Sequence, residues 1–361
     1  MKALFIVQGE GRGHLTQALT LEKALRKDGH EVVEVLVGKS RHRQLPDFFR
    51  RKMGAPIRQF ESPNFLPTAD NRRSKVVRSV AYNLSRMHRY ARSVRFINKR
   101  IRKSGADVVV NFYELLTGIT YLVYRPAVPQ VSIGHQYLFL HDGYRFPEMS
   151  RASLLSLRLF TMITSLGAYE RLALSFRQMA DDDRHKVHVV PPLLRDDVLC
   201  CRAADGGYLH GYMLNAGFGE TIMKWHDKHP NVPLNFFWDK QGMGDVYKVD
   251  DTLTFNYLDD NRFIQSMAHC TAYATTAGFE SVCEAMYLGK PIMMVPAHIE
   301  QDCNAYDASR CGAGIISDDF DIDRLLAFAA HYRPDPSFAY WARTGSSNIA
   351  AAVERVALRA N

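Results

Sequence analysis

The sequence lacks the features that define several protein classes. Its six cysteines include no Cys-x-x-Cys pair and no zinc-finger spacing, so they predict neither a disulfide framework nor a metal site. No apolar run reaches the length of about 18 residues that a transmembrane helix needs, and the nearest, residues 154–168, contains Arg158. The apolar run at the amino terminus ends at Gly-Glu and lacks a signal-peptide cleavage site. We therefore expect a cytoplasmic protein with reduced thiols.

Acidic residues are scarce in one part of the chain. The formal charge is +8, yet residues 1–110 hold 24 basic and 9 acidic residues, whereas residues 111–361 hold 22 and 29. Most of the excess lies in residues 39–103, with 19 basic and 3 acidic residues. A solvated helix face explains part of this charge. No nucleic-acid-binding module is recognisable, so nucleic acid is not expected, and an anionic membrane surface is the favoured partner.

The order of apolar runs predicts an α/β fold. Residues 3–8 form a continuous apolar run that ends at a glycine, which is typical of a buried parallel strand. A glycine loop, a helix over residues 15–27 and a strand over residues 31–37 complete a β-α-β unit. The second half repeats this order from a strand over residues 211–215 and a glycine turn. This alternation predicts two Rossmann-like domains with a cleft between them.

A glycine loop joins the first strand to the first helix. Residues 9–14 are GEGRGH; glycines here allow close approach of the backbone, and the helix start offers free N–H groups to an anion. One interpretation is a dinucleotide fingerprint, but the spacing is G-x-G-x-G rather than G-x-G-x-x-G. His14 is either a solvent-facing cap residue or a general base, because a histidine can take a proton from an alcohol near neutral pH.

One stretch of the second half holds the most informative polar residues. Gly278 leads from a strand into a helix, where the Ser281 hydroxyl and the free N–H groups of the helix start can hold a diphosphate. Glu284, one turn further, is placed to accept from ribose hydroxyls; taken alone, it is explained more simply as a solvated helix residue. Glu300 and Gln301 offer an acceptor and an amide to sugar hydroxyls.

This stretch resembles the donor-site signature of inverting GT-B glycosyltransferases, H-C-G-W-x-S-x-x-E followed by G-x-P and P-x-x-x-D/E-Q-x-x-N-A. The corresponding residues here are Thr276–Ser281, Glu284, Gly289–Pro291, Pro296, Glu300-Gln301 and Asn304-Ala305. The resemblance is to the family 28 and family 1 superfamily, which includes peptidoglycan N-acetylglucosaminyltransferase-like enzymes.

Two further segments are similar to the same superfamily. Residues 257–261 (YLDDN) resemble a segment that lies against the uracil, which implies a base contact by backbone groups of Leu258. Residues 9–17 resemble the amino-terminal glycine loop, whose Gly-His pair, here Gly13-His14, supplies the base.

The chain departs from the family pattern at the site. Thr276 stands where plant-type members have a histidine that contacts phosphate, so a hydroxyl or backbone group must make that contact. The aspartate that orients the base in plant members is absent; Glu114 is its best substitute, with a helix-cap role as the alternative. His135, after the next predicted strand, is the second choice for the base.

The resemblance implies a GT-B fold and inverting, metal-independent sugar transfer from a UDP-sugar to an acceptor hydroxyl, with no cofactor. His14 would deprotonate the acceptor. The Ser281 helix start, Thr276 and the loop containing Gly217 and Gly219 would stabilise the leaving diphosphate. No Asp-x-Asp motif stands where a metal-dependent transferase would need one. The basic segment then predicts a lipid-linked or cell-envelope acceptor and peripheral association with the inner face of a membrane.

Domain boundaries and alternative functions complete the expectations. We predict a first domain over residues 1–195, a second over residues 205–340, and a helix over residues 341–361 that crosses back to the first, as is common in this fold. A helical stripe predicts one long helix over residues 75–103. A nucleotide-sugar epimerase, a nicotinamide oxidoreductase and a non-catalytic nucleotide-sugar binder remain alternatives.

Overall fold

The computed structural model divides the chain into two compact units. The first contains the described parts of residues 1–193 and the carboxyl-terminal segment from Arg343, and the second contains residues 194–342. The structure describes residues 1–41, 43–63, 87–213, 216–238 and 244–359.

The first unit is built on a seven-stranded parallel sheet in the order β3-β2-β1-β4-β5-β6-β7. Its inner strands are continuous apolar runs, because helices cover both faces of a parallel sheet. In β1, Phe5 pairs with Val35 on one side and Val110 on the other, and all three are buried. The strands are β1 (Lys2–Gln8), β2 (Glu31–Lys39), β3 (Ile57–Glu61), β4 (Val108–Phe112), β5 (Gln130–Ile133), β6 (Ala168–Leu174) and β7 (Val187–Val190).

Helices connect these strands and cover the two faces of the sheet. Right-handed crossovers place α1 and α2, which link β1 to β3, on the face opposite to the helices that link β4 to β6. The last helix of the chain packs against α1. The helices are α1 (Arg12–Lys27), α2 (Asp47–Lys52), α3 (Met87–Ser104), α4 (Leu115–Tyr124) and α5 (Arg151–Thr164), with a 3-10 helix over His135–Leu140.

The second unit repeats the architecture with a second seven-stranded sheet. Its order is β10-β11-β9-β8-β12-β13-β14, and only the pairing of β10 with β11 is antiparallel. Apolar residues from β8, β9 and β11 form its core with Phe320 and Leu325. The strands are β8 (Leu209–Met213), β9 (Leu234–Trp238), β10 (Val246–Lys248), β11 (Leu253–Tyr257), β12 (Ala272–Thr275), β13 (Ile292–Met294) and β14 (Gly314–Ile316).

The remaining helices lie in the second unit and at the end of the chain. They are α6 (Asp196–Leu199), α7 (Gly219–His226), α8 (Asp260–His269), α9 (Phe279–Tyr287), α10 (Ile299–Arg310), α11 (Ile322–His331), α12 (Pro336–Arg343) and α13 (Gly345–Arg359). A short 3-10 helix over Ala216–Phe218 precedes α7. No helix in the described part of the chain is long and apolar enough to cross a bilayer.

Two predicted elements extend beyond the described residues. The helix predicted over residues 75–103 is observed as α3 from Met87 to Ser104, and its first part, residues 75–86, lies outside the described residues. The strand predicted over residues 211–215 is observed as Leu209–Met213, and Asn215 likewise lies outside.

Candidate active site

Each unit places its candidate residues at the point where the strand order changes direction. In the first sheet this point lies between β1 and β4, where Val7 pairs with Phe112. In the second it lies between β8 and β12, where Tyr212 pairs with Thr275. Loops that leave the carboxyl ends of such neighbouring strands form the usual ligand crevice of open α/β sheets. The His14 loop and the turn at Thr276 both follow these strand ends.

The glycine loop after β1 is held tightly against β2. The N–H of Gly9 donates to the carbonyl oxygen of Gly38 at 2.7 Å. A Cβ atom at Gly9 would lie 2.6 Å from Cγ1 of Val37, so only glycine fits here. Gly11 caps α1 without a side-chain hydrogen bond, and Gly13 lies in the first turn. The N–H groups of this turn therefore have no side-chain cap, as an anion-binding helix start requires.

His14 is buried rather than a solvent-facing cap residue. Its Nδ1 atom lies 3.1 Å from Oε1 of Gln17, and its Nε2 atom lies 3.3 Å from Nε2 of Gln136. With these amide orientations, Nδ1–H donates to Gln17, and Nε2 is the unprotonated nitrogen that accepts from Gln136. Burial lowers the pKa of His14 to about 4, against the opposing effect of the Gln17 bond. The imidazole is therefore neutral at neutral pH.

Tyr113 forms one wall of the His14 environment. Its ring stacks on the imidazole with centroids 5.7 Å apart, and its hydroxyl lies 2.8 Å from Oγ1 of Thr161 on α5. Its φ of 58° is in the left-handed region, which is uncommon for a residue with a bulky side chain. This conformation stands directly after β4, at the carboxyl edge of the sheet.

Of the two roles proposed for Glu114, the structure supports the helix cap. Its carboxylate accepts from the backbone N–H of Leu116 at 3.1 Å and from the Ser62 hydroxyl at 2.5 Å. The Nδ1 partner of His14 is Gln17 instead, so the expected carboxylate orienter is replaced by an amide. Burial raises the pKa of Glu114 to about 7 against the effect of its two hydrogen bonds.

His135 lies beside the same group of residues. It begins the 3-10 helix that also carries Gln136, and its side chain is buried with its ring edge-on to Phe139 at 6.1 Å. Gln136, the next residue, provides a hydrogen-bond contact to Nε2 of His14.

In the second unit, a strained turn leads from β12 into α9. Ala277 has a φ of 60°, and its carbonyl oxygen accepts from the side-chain amide of Asn304 at 3.1 Å. The Thr276 side chain is fully buried, and its hydroxyl makes no hydrogen bond within the described residues. Gly278 caps α9 without a side-chain bond. The turn thus presents a buried hydroxyl next to an uncapped helix start.

The side chains of Ser281 and Glu284 both make hydrogen bonds within the protein. The Ser281 hydroxyl donates to the carbonyl of Gly278 at 3.1 Å, so its proton is already used within the protein. Oε1 of Glu284 accepts from Nε and Nη2 of Arg195 at 2.9 and 2.6 Å. Burial raises the pKa of Glu284, and the guanidinium opposes that rise. Of the two earlier interpretations, solvated residue and ribose ligand, the first is wrong because Glu284 is buried.

The α10 region supports the same turn and its neighbouring loop. Oε1 of Gln301 accepts from the backbone N–H of Ala297 at 2.9 Å, and the donor that this side chain can offer to a sugar is its amide nitrogen. Glu300 is half-buried in the first turn of α10. Asn304, on the same helix, fixes Ala277. This gives the N-A pair of the motif a structural role.

The remaining predicted donor residues lie in the loops that follow β8 and β11. Gly217 lies in the 3-10 helix after β8, and Gly219 begins α7, where a Cβ would come within 3.3 Å of the Trp238 ring. The N–H of Leu258 donates to the carbonyl of Trp238 at 3.2 Å. Of the backbone groups of Leu258 predicted to contact a base, only the carbonyl is therefore available.

One group of side chains in the described residues has the spacing of a metal site. Ligand atoms of Asp142, Asp182 and His185 lie within 4.8 Å of one another. The Asp182 carboxylate already accepts from the backbone N–H groups of Asp142 and His185 and lies 2.9 Å from the His185 ring. These hydrogen bonds are sufficient to explain why the three side chains lie together, without a metal ion.

Comparison with known proteins now identifies the chain. The profile described as glycosyl transferase family 1 matches residues 1–332. The chain belongs to this family. The prediction from the sequence motifs that the protein is a glycosyltransferase is therefore confirmed. A search of curated protein sequences finds no match.

Solved glycosyltransferases share the fold of this family member over nearly the whole chain. The kitacinnamycin glycosyltransferase is 15% identical, with a TM-score of 0.62 and coverage of 98% of both chains. The calicheamicin glycosyltransferase CalG4 is 16% identical, with a TM-score of 0.61 and 98% coverage of both chains. UGT89C1 of Arabidopsis thaliana, solved with quercetin, is 13% identical, with a TM-score of 0.63 and coverage of 98% of this chain and 99% of its own. The predicted GT-B fold of two Rossmann-like domains is thereby confirmed.

Proposed function

We propose that this glycosyltransferase moves a sugar from a nucleoside diphosphate sugar, with UDP as the expected nucleotide, to an acceptor hydroxyl with inversion at the anomeric carbon. The observation that carries the proposal is His14, a buried neutral imidazole at the switch point of the first sheet with Nε2 unprotonated. Such a nitrogen accepts a proton from an attacking hydroxyl.

The acceptor hydroxyl would take the place of Gln136 at Nε2 of His14. As the hydroxyl oxygen bonds to the anomeric carbon, its proton passes to Nε2, and the bond between that carbon and the diphosphate breaks with both electrons going to the diphosphate. Attack from the side opposite the leaving group inverts the configuration. Gln17 holds Nδ1–H in place, which keeps Nε2 as the acceptor.

The donor residues would stabilise the charge that develops on the leaving diphosphate. The Thr276 hydroxyl is buried without a partner in the described residues, and the start of α9 has no side-chain cap. Fixed donors of this kind stabilise developing charge and can serve without a metal ion. Glu300 and the amide nitrogen of Gln301 are the proposed partners of the sugar hydroxyls.

Structural neighbours support the donor class. UGT89C1 has also been solved with UDP-L-rhamnose, and a Phytolacca americana enzyme with UDP-2-fluoroglucose and pterostilbene. Their acceptors are hydroxylated small molecules. A lipid-linked or cell-envelope acceptor remains our proposal for this chain and derives from its basic residues.

A binding and product assay tests the proposal. UDP, GDP and TDP are compared by thermal shift and calorimetry in the presence of EDTA, and UDP is expected to bind most tightly without a metal. The matching UDP-sugar is then incubated with and without candidate acceptors. Transfer releases UDP only with an acceptor, and NMR shows the inverted anomer. Conversion of the sugar without UDP release identifies an epimerase, and retention of configuration contradicts the His14 mechanism.

A further inference from the structure

Three neighbouring helices form one face of the first unit. Buried residues of α3, among them Val94 and Ile97, share a core cluster with Leu116 and Tyr121 of α4. A Cβ at Gly118 of α4 would lie 1.9 Å from the carbonyl oxygen of Ile163 on α5, so these two helices meet at backbone distance. The three helices together carry nine Lys and Arg residues and no Asp or Glu.

The outer side of α4 and α5 is apolar and exposed. Leu155, Leu159 and Met162 recur at helical spacing on one side of α5 and are 69%, 48% and 43% exposed. Leu122 and Val123 of α4 are 58% and 59% exposed. Because Gly118 stands one turn before Leu122 and Ile163 directly follows Met162, the two groups belong to neighbouring surfaces. Adjacent exposed apolar side chains of this size mark an interaction site.

The outer side of α3 is cationic. Arg89 and Arg100 face inward to ion pairs with Glu61 and Glu34. The exposed cations, in contrast, make no ion pair with any described residue. They are Arg92, Arg95, Lys99, Arg102 and Lys103.

We propose that this α3–α5 face docks on an anionic lipid bilayer. A bilayer surface offers acidic headgroups to the cations and an acyl boundary to the apolar side chains within a few ångströms of each other. A second copy of the chain would set the same uncompensated cations of α3 against each other in an isologous contact. The combination of charge and apolar exposure therefore favours a membrane over self-association.

The structure also shows that different parts of the basic segment, residues 39–103, lie on different faces of the first unit. Arg50 and Arg51 of α2 belong to that segment and are exposed. However, α2 lies on the sheet face opposite to α4 and α5. Among the described residues of the segment, those of α2 and those of α3 therefore lie on different surfaces, and the α3 residues contribute to the α3–α5 face.

Vesicle sedimentation of the full chain tests the proposal without any sugar substrate, so its outcome is independent of the proposed chemistry. We expect binding to phosphatidylglycerol-containing vesicles and none to pure phosphatidylcholine vesicles. Leu155→Ser should weaken binding severalfold, whereas Leu358→Ser, at an equally exposed leucine on α13, should leave it unchanged. Arg92→Gln/Arg95→Gln should weaken binding by more than about tenfold, whereas the charge-matched Arg50→Gln/Arg51→Gln should have little effect.

Several outcomes would overturn the proposal. They are equal binding to both kinds of vesicle, binding to neither, and equal losses in the test variants and their controls. A dimer seen by analytical ultracentrifugation that Leu155→Ser dissociates would assign the face to a second copy instead. All substituted side chains are exposed, and thermal melting confirms that each variant is folded.

Discussion

At the scale of single residues, the base is recognisable from the sequence but its surroundings are not. His14 follows from its place in the glycine loop. Its partners do not, because Gln136 stands 122 positions away in the chain and Gln17 lies on an ordinary helical turn. Tyr113 is a further residue of the His14 environment, and nothing in the sequence signals its positive φ. Side-chain partners of this kind depend on packing that a motif does not specify.

The buried environment of His14 predicts an unusual pH profile. A base with a pKa of about 4 stays deprotonated at weakly acidic pH, so kcat/KM should be flat from neutral pH to about pH 5 and fall as the pH passes through about 4. In Gln17→Glu, a carboxylate beside Nδ1 favours the imidazolium, so the acidic limb should move to higher pH. A wild-type limb centred near 6.5 would show that the reacting histidine is solvated.

The raised pKa of Glu114 leads to a separate prediction about the pH dependence of stability. Its pKa in the folded protein, about 7, is above the ordinary value of 4.5, so the native state binds the proton more tightly. Its contribution is complete below pH 4.5 and is lost as the pH rises through 7. Relative to wild type, Glu114→Gln should therefore gain about 3 kcal/mol in unfolding free energy between pH 4 and pH 8. Identical pH dependence in denaturant titrations of the two proteins would contradict this assignment.

At the scale of elements, the strands and their connections follow closely from apolar runs and glycine positions. The turn from β12 into α9 shows what the motif does not reveal. Thr276 and Gly278 occupy the expected positions, yet Asn304 and Gln301 hold backbone groups of the surrounding loops. Part of the family signature thus holds the backbone of the site in place, in addition to any contact that it makes with a ligand. The two kinds of residue look alike in sequence because both are polar and closely spaced.

The ion pair of Arg195 with Glu284 joins the start of α6 to α9 and should matter mainly for stability. Arg195→Met leaves a buried carboxylate without its partner, and we expect a loss of about 3–5 kcal/mol in denaturant unfolding. The double variant Arg195→Met/Glu284→Leu should recover most of this loss. If Arg195→Met unfolds like wild type, the pair does not stabilise the second unit.

At the scale of the whole molecule, the structure shows where on the surface the described basic residues lie. The first 110 positions hold the excess of basic residues. Among the described ones, those of α2 and α3 lie on opposite faces of one sheet, and α3 presents its cations beside the exposed apolar side chains of α4 and α5. Composition alone reveals the excess but not this division, because the face on which each helix lies depends on strand order. The family and the two-domain fold were predictable, since their motifs span both halves.

The most direct test of the account is the turnover of His14→Ala with the donor and acceptor pair identified by product analysis. We predict that kcat falls by about 10²–10⁴-fold, while the Kd for UDP, measured by calorimetry in EDTA, stays within twofold of wild type because His14 and the donor residues belong to different units. Undiminished turnover of His14→Ala would contradict the account.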